Sequence, residues 1–248
     1  NTGSVAQRLA DTPGVARTIL GAARAARGMP GADPRAMSHS WLFTGPPGSG
    51  RSLAAIDFAA ALMCTDPEEP GCGRCEACRA VLETKQHTDL VLVDPQEVII
   101  PVDTVREVIG RAASLPTVAP WRVVIFNNAD RLNNNGANAL LKTVEEPPAR
   151  TVIIMCAPSD APEDFSQTLR SRCRHLYIPS PSVESITAQL VSEGASDHDA
   201  HLAALTSLRH VGRARRLVND PAVQKRRAVA INLAEEVFHG SQGFQAVR

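Results

Sequence analysis

Aromatic residues are scarce in this sequence, at 4% of 248 residues. The core must therefore be built from Ala, Val, Leu and Ile, and a hydrophobic content of 44% supplies them. An excess of charge is also missing, with 26 Lys and Arg against 26 Asp and Glu. That balance argues against a free-standing nucleic-acid binder working through a global basic field. Any DNA contact needs a local patch or a partner. No apolar run approaches the roughly 20 residues that span a bilayer. No secretory signal is visible either, so a cytoplasmic protein without membrane contact is expected. Cysteines are few, and four of the six lie between Cys64 and Cys78, with Cys156 and Cys173 isolated. Such clustering excludes a disulfide framework and points to a metal site with two ordinary thiols.

The length suggests one or two domains. An Ala-rich helix is expected over Val15–Arg27, stopped by Gly28. Apolar runs at Trp41–Thr44, Leu90–Val93, Val123–Phe126, Val152–Cys156 and His175–Ile178 read as buried strands. Helices are expected over Ser52–Met63 and Asp103–Ser114, the second with Val105, Ile109 and Ala112 on one face. Ala137, Leu140, Leu141 and Val144 form a helical stripe. Pro147 and Pro148 must end that helix near Glu146. Alternation of strand and helix predicts an α/β domain, a parallel sheet covered by helices on both faces. After Pro179 and Pro181 only helical pieces follow: Val183–Glu193, Ala200–Leu208, Gly212–Val218 and Ala222–Phe238. A boundary is therefore expected near 180, with an α/β domain over 1–180 and a small all-helical domain over 181–248.

Gly45-Pro46-Pro47-Gly48-Ser49-Gly50-Arg51-Ser52 joins a strand to a helix and fits the P-loop pattern G-x-x-x-x-G-K-[ST] except at Arg51, where Lys is expected. Glycines let successive N–H groups face phosphate oxygens, and the helix N-terminus adds partial positive charge. Arg keeps the charge but is longer, planar and forked. A glycine-rich turn unrelated to nucleotides is the plainer alternative. The second strand of a P-loop enzyme ordinarily ends in acids that position Mg²⁺ and activate water. Here Asn127 and Asn128 follow Phe126. An amide cannot act as general base and holds Mg²⁺ poorly.

Cys64, Cys72, Cys75 and Cys78 have the spacing C-x7-C-x2-C-x2-C. Two overlapping C-x-x-C steps place three thiolates in one tight turn, and Cys64 at a helix end supplies a fourth. Tetrahedral Zn²⁺ is the natural occupant, structural because no ligand position stays open. An iron–sulfur cluster is the chemical alternative.

The loop, the segment Asn138-Ala-Leu-Leu-Lys-Thr-Val-Glu-Glu-Pro-Pro148, the triplet Ser171-Arg172-Cys173 and the four-cysteine insertion together resemble the AAA+ clamp-loader family of bacterial DNA replication. Gly212-Arg213-Ala214-Arg215-Arg216-Leu217 extends the likeness into a helical lid. The resemblance implies a P-loop AAA+ module over 1–180, a lid over 181–248, and a third, helical collar domain not expected within these residues. It implies partners: gamma/tau-type and delta-type subunits, with the sliding clamp and primed DNA reached through the assembly. It assigns Gly45, Gly48, Gly50, Arg51, Ser52 and Arg213 to a degenerate nucleotide site for ATP or ADP. Arg172 would point across a subunit interface into a neighbour's ATP site and stabilise the transferring phosphoryl group there. An exposed surface charge is the plainer reading of Arg172, and a structural role that of Arg213.

The expected function is a stator subunit that does not hydrolyse ATP itself. Its rivals are an active ATPase of gamma/tau type, with Arg51 replacing Lys, and a zinc-bearing DNA-binding adaptor. The adaptor would use the basic stretch over 209–227, which reads equally as a solvated helix face.

Overall fold

The computed structural model describes residues 3–95 and 97–219, together with Lys225. The expected helix Ala222–Phe238, apart from Lys225, and the end of the basic stretch lie outside the described residues. The chain divides into two compact units that meet at Ser180 and Pro181.

In the first unit, helix α1 (Val5–Arg8) is closed by a reciprocal capping box between Ser4 and Gln7. Helix α2 (Pro13–Ala26) opens on proline, whose fixed φ suits a first turn. Strand β1 (Ser40–Thr44) leads through the glycine-rich loop into α3 (Arg51–Met63). Then come α4 (Glu76–Arg79), β2 (Leu90–Val93), α5 (Val102–Ala112), β3 (Arg122–Phe126), α6 (Asn134–Glu145) and β4 (Thr151–Ala157). The unit ends with α7 (Gln167–Arg170) and β5 (Arg174–Tyr177).

The five strands form one parallel sheet in the order β2-β3-β4-β1-β5. Alternation along each strand divides the core in two. Trp41, Phe43, Val123, Ile125, Val152 and Ile154 face the layer built by α2 and α3. Leu42, Val124, Phe126, Ile153 and Met155 face the layer of α5 and α6. The sheet is thus covered on both faces, which is why four of its strands read as continuous apolar runs. β5 differs. Like β2 it is an edge strand with one partner, β1, but its residues are half-buried or exposed, whereas those of β2 are mostly buried.

Three of the few aromatics gather under α3. Trp41 meets Phe58 edge-on with centroids 5.2 Å apart, and Phe43 stacks with Phe58 at 6.1 Å. Fully burying each such ring contributes about 1.5–3 kcal/mol. α3 is apolar nearly all round, since Ala54 to Met63 are all buried.

The helix that carries the expected stripe, α6, begins at Asn134, where the Asn133 side chain caps it by accepting from Gly136 N–H at 2.9 Å. It ends at Glu145, just ahead of the prolines. In α5 the middle buried position belongs to Val108, with Ile109 half-buried, so the stripe is Val105, Val108 and Ala112.

The second unit contains α8 (Val183–Ser192), α9 (Asp197–Thr206) and α10 (Val211–Asn219). α8 and α9 are N-capped by Ser182 and Ser196. Its own small core consists of Ile186, Leu190, Ala200, Ala203, Ala204, Ala214 and Val218.

Candidate functional site

The loop leaves the carboxyl end of β1, where α/β sheets place their ligands. Gly48 and Gly50 have φ of 85° and 90°, in the left-handed region that glycine enters without strain. The first hydrogen bond of α3 runs from Ala54 N–H to the Gly50 carbonyl. The N–H groups of Arg51, Ser52 and Leu53 are thus the open donors of a helix start. This cradle has the form that receives an anion.

Its side chains are less orthodox. Arg51 turns back on the loop, and its Nη1 donates to the Gly45 carbonyl at 2.7 Å. Arg51 Nε and Ser49 Oγ are buried without a partner. At the end of β3, Asn127 N–H donates to the Val93 carbonyl at 2.8 Å, while its Oδ1 is buried and unpaired. Asn128 adopts a left-handed φ of 52°, turning the chain away from the sheet. Buried polar atoms with no partner are uncommon in native structures. Three of them fall on the loop and on the strand end that serves nucleotide in P-loop enzymes.

Arg172 belongs to the other end of the sheet. It lies two residues before β5, and β5 enters in register with Arg174 opposite Trp41. From there to Gly45 is four residues along β1, about 13 Å at 3.3 Å per residue. That exceeds the span of one arginine side chain. Arg172 Nε donates to Glu145 Oε1 at 2.5 Å, and Nη1 donates to the Thr168 carbonyl at 2.8 Å and to Ser171 Oγ at 3.1 Å. The side chain remains 36% exposed, so it is held yet accessible. Sequence reasoning gave Glu145 no role, although it lies in the segment that carries the resemblance. Arg213 stands exposed near the start of α10 in the second unit.

The four cysteine sulfurs Cys64, Cys72, Cys75 and Cys78 lie within 4.8 Å of one another. α3 delivers Cys64 at its end, and Cys75 caps α4, which carries Cys78. A Zn–S bond of about 2.3 Å places tetrahedral sulfurs about 3.8 Å apart. The Cys75–Cys64 separation is 3.9 Å. Backbone N–H groups of Asp66, Cys75 and Cys78 donate to the sulfurs of Cys64, Cys72 and Cys75, each at 3.4 Å. Such donors favour thiolate, the ligating form. A hydrogen bond from Cys78 holds the Cys64 thiol down to about 4, and the same bond pushes Cys78 up. The donor set fits a tetrahedral metal ion. Cys156 and Cys173 are buried apart from it, and burial pushes both up to about 12, so they remain neutral thiols. The Cys156 thiol faces the Arg51 carbonyl at 3.9 Å and ties β4 to the start of α3.

The parallel sheet with this loop at the end of β1 defines a P-loop AAA+ module. The Thermotoga maritima RuvB Holliday junction branch migration motor shares the fold, with a TM-score of 0.53 at 16% identity over 83% of this chain and 60% of that one. The family model for DNA polymerase III, delta subunit, matches residues 32–182, and the chain belongs to that family, in the likeness of its delta-prime subunits. DNA polymerase III subunit delta' of Pseudomonas aeruginosa is 35% identical over 165 residues, 64% of this chain and 49% of that protein. The delta' subunit of Bacillus subtilis is 28% identical over 207 residues, 84% of this chain and 61% of that protein. The gamma/tau subunit of Mycobacterium tuberculosis is 33% identical over 174 residues, 68% of this chain and 30% of that protein. The chain thus spans about half the length of the delta' relatives. Among the described residues no helix is long and apolar enough to cross a membrane.

Proposed function

We propose that this chain is the AAA+ part of a clamp-loader stator subunit, which does not turn over ATP itself and supplies Arg172 to a neighbouring subunit's ATP site during sliding-clamp loading. The observation that carries this reading is the placement of Arg172. It is ordered and partly exposed at the end of the sheet remote from its own phosphate loop. An arginine there cannot serve its own nucleotide, and it can serve one bound across an interface. An arginine supplied in trans stabilises charge on the transferring phosphoryl oxygens.

The loop and the end of β3 support the other half. Arg51 is engaged with the Gly45 carbonyl. Asn127 and Asn128 supply amides where a water-activating base and a Mg²⁺ ligand are required. The backbone cradle is intact, so ATP or ADP can be held by Gly45, Gly48, Gly50 and Ser52 without being hydrolysed. Arg213, exposed near the start of α10, keeps in this reading the nucleotide-sensing role that the resemblance implies. Partners of this reading are gamma/tau-type and delta-type subunits, with the clamp and primed DNA met through the assembly, in the cytoplasm. In the same reading the four cysteines hold one Zn²⁺, which cross-links the end of α3 to α4 and leaves no position for chemistry.

The test is reconstitution of the full-length protein with its partner subunits. Arg172→Ala should lower the thermal midpoint of the free protein by no more than a few degrees, since its contacts are exposed, and should lower the DNA-stimulated ATPase rate of the assembly several-fold. An unchanged rate removes the trans role.

A further inference from the structure

Arg172 is not a freely swinging side chain. Its guanidinium is gripped on two edges by this chain's own groups. Glu145 Oε1 takes Nε at 2.5 Å, and the Thr168 carbonyl and Ser171 Oγ take Nη1. Nη2 is the nitrogen left without a partner among the described residues. Because the guanidinium is planar and rigid, fixing Nε and Nη1 also fixes the directions of the two Nη2 N–H bonds. A long arginine otherwise loses considerable rotamer freedom when it engages a phosphate. A group held beforehand loses less, and placement within a fraction of an ångström decides how much a donor contributes in a transition state.

We infer that Glu145 is the positioning residue of Arg172: it sets the guanidinium so that Nη2 is presented to a phosphoryl group on the neighbouring subunit. The inference rests on the trans reading of Arg172 given above. Glu145 suits the task by its place in the chain. It is the last residue of α6, followed by Glu146 and the two prolines that end the helix, so its backbone is fixed. It is 46% exposed, hence its charge is screened by water and offsets the cation only in part. Its contribution is direction, through one hydrogen bond to Nε, more than field. An uncharged acceptor of the same shape should then replace it.

The experiment uses the full-length protein assembled with its partners. Wild type, Glu145→Ala, Glu145→Gln and Arg172→Ala are compared by kcat and KM for ATP in DNA-stimulated hydrolysis. Glu145→Ala should lower kcat about three- to ten-fold with KM unchanged, and Glu145→Gln should recover at least half of the wild-type kcat. In the free chain the ¹H–¹⁵N resonance of the Arg172 Nε–H should move in Glu145→Ala and return toward its place in Glu145→Gln. Where Ala fails to fold, Glu145→Asp keeps the charge and withdraws the acceptor by one methylene, and should lose kcat likewise. Wild-type kcat in Glu145→Ala, beside a depressed Arg172→Ala, overturns the positioning role and leaves the trans reading standing. Equal loss in the Ala and Gln variants also overturns it, since charge would then be the cause. Wild-type kcat in Arg172→Ala overturns both.

Discussion

Arg51 Nη1 donates to the carbonyl oxygen of Gly45 at 2.7 Å, closing the phosphate loop on itself. The loop's one cation is therefore engaged within the loop. A lysine there would carry a compact charge on a flexible stem. It would still lack a base and a metal-holding carboxylate, because Asn127 and Asn128 are unchanged by the exchange. The isolated chain with Mg²⁺-ATP is expected to release no phosphate above background, and Arg51→Lys to release none either. A sensitive phosphate-release assay at high protein concentration checks both. Turnover by the lysine variant would show that the amides are not the obstacle.

Gly45 is required for a different reason from the other loop glycines. A Cβ there would lie 2.3 Å from the Ile178 carbonyl oxygen and 2.5 Å from Ser49 Oγ. The Ser49 hydroxyl can rotate away. The Ile178 carbonyl cannot, since Ile178 N–H is bonded to the Thr44 carbonyl at 2.7 Å and its backbone is fixed to β1. Gly45→Ala should destabilise by about 1–3 kcal/mol as overpacking does. That is a fall in thermal midpoint of about 2–12 °C for a chain of this size. Gly50→Ala meets nothing within 4 Å, and its cost comes from a φ of 90° alone. Thermal melts of the two variants, side by side, should show steric and conformational losses at two sites in one loop. Wild-type stability in Gly45→Ala would mean that the sheet edge yields.

The four thiols join α3 to α4 across a segment with little regular structure. Metal analysis of the purified protein should find one Zn²⁺ per chain. Chelation or Cys75→Ser should lower stability by about 3 kcal/mol or more, since metal binding here is part of folding. The corresponding drop in thermal midpoint is about 6–12 °C. Phosphate-free buffer and a Cys156→Ser control separate the cluster from thiol loss in general. A chain that binds no metal and melts unchanged after chelation would remove the structural-ion reading.

Four of the five strands were legible in the sequence because the middle of a parallel strand buried on both faces is a continuous apolar run, with Ser40, Thr44, Arg122 and Thr151 confined to strand ends. β5 was legible only in part, since an edge strand with half-exposed residues has no such pattern. α1 left no periodic signal. Its four residues are held by the Ser4–Gln7 box and by Val5 N–H to the Gly71 carbonyl at 2.8 Å, a contact 66 residues away in sequence that no local rule anticipates. The phosphate loop and the cysteine group could be read because each is a local spacing. The pairing of Arg172 with Glu145 could not, since 27 residues separate them and only the packing of α6 beside α7 brings them together. The orphaned Asn127 Oδ1 and the contact of Cys156 with the loop are likewise tertiary facts.

Asp89 carries a densely bonded carboxylate in the first unit. It is fully buried and accepts from the N–H groups of Thr117, Val118 and Ala119 at 2.7–2.9 Å, from Thr117 Oγ1 at 3.2 Å and from Arg122 Nη2 at 3.0 Å. Burial by itself raises its pKa. The N–H donors of Ala119, Thr117 and Val118, with Arg122, outweigh burial and hold the group well below the ordinary carboxylate range. The folded pKa is thus lower than the unfolded value of about 3.9. In acid the unfolded chain binds the additional proton. The stability from Asp89 is therefore complete above about pH 4 and is lost as pH falls through the folded pKa. Asp89→Asn removes the charge that balances Arg122, 7% exposed, leaving that cation only neutral acceptors: the Arg111 and Ser114 carbonyls, the Ser114 hydroxyl and the new amide oxygen. Breaking one side of a buried pair costs about 3–5 kcal/mol. Urea melts of wild type and Asp89→Asn should differ by that amount at neutral pH and at about pH 5. The gap should narrow steadily below about pH 4, as the unfolded wild-type chain takes up the Asp89 proton while the folded carboxylate stays ionised. A gap that stays constant down to about pH 2 would assign the loss to hydrogen-bond geometry instead of to charge.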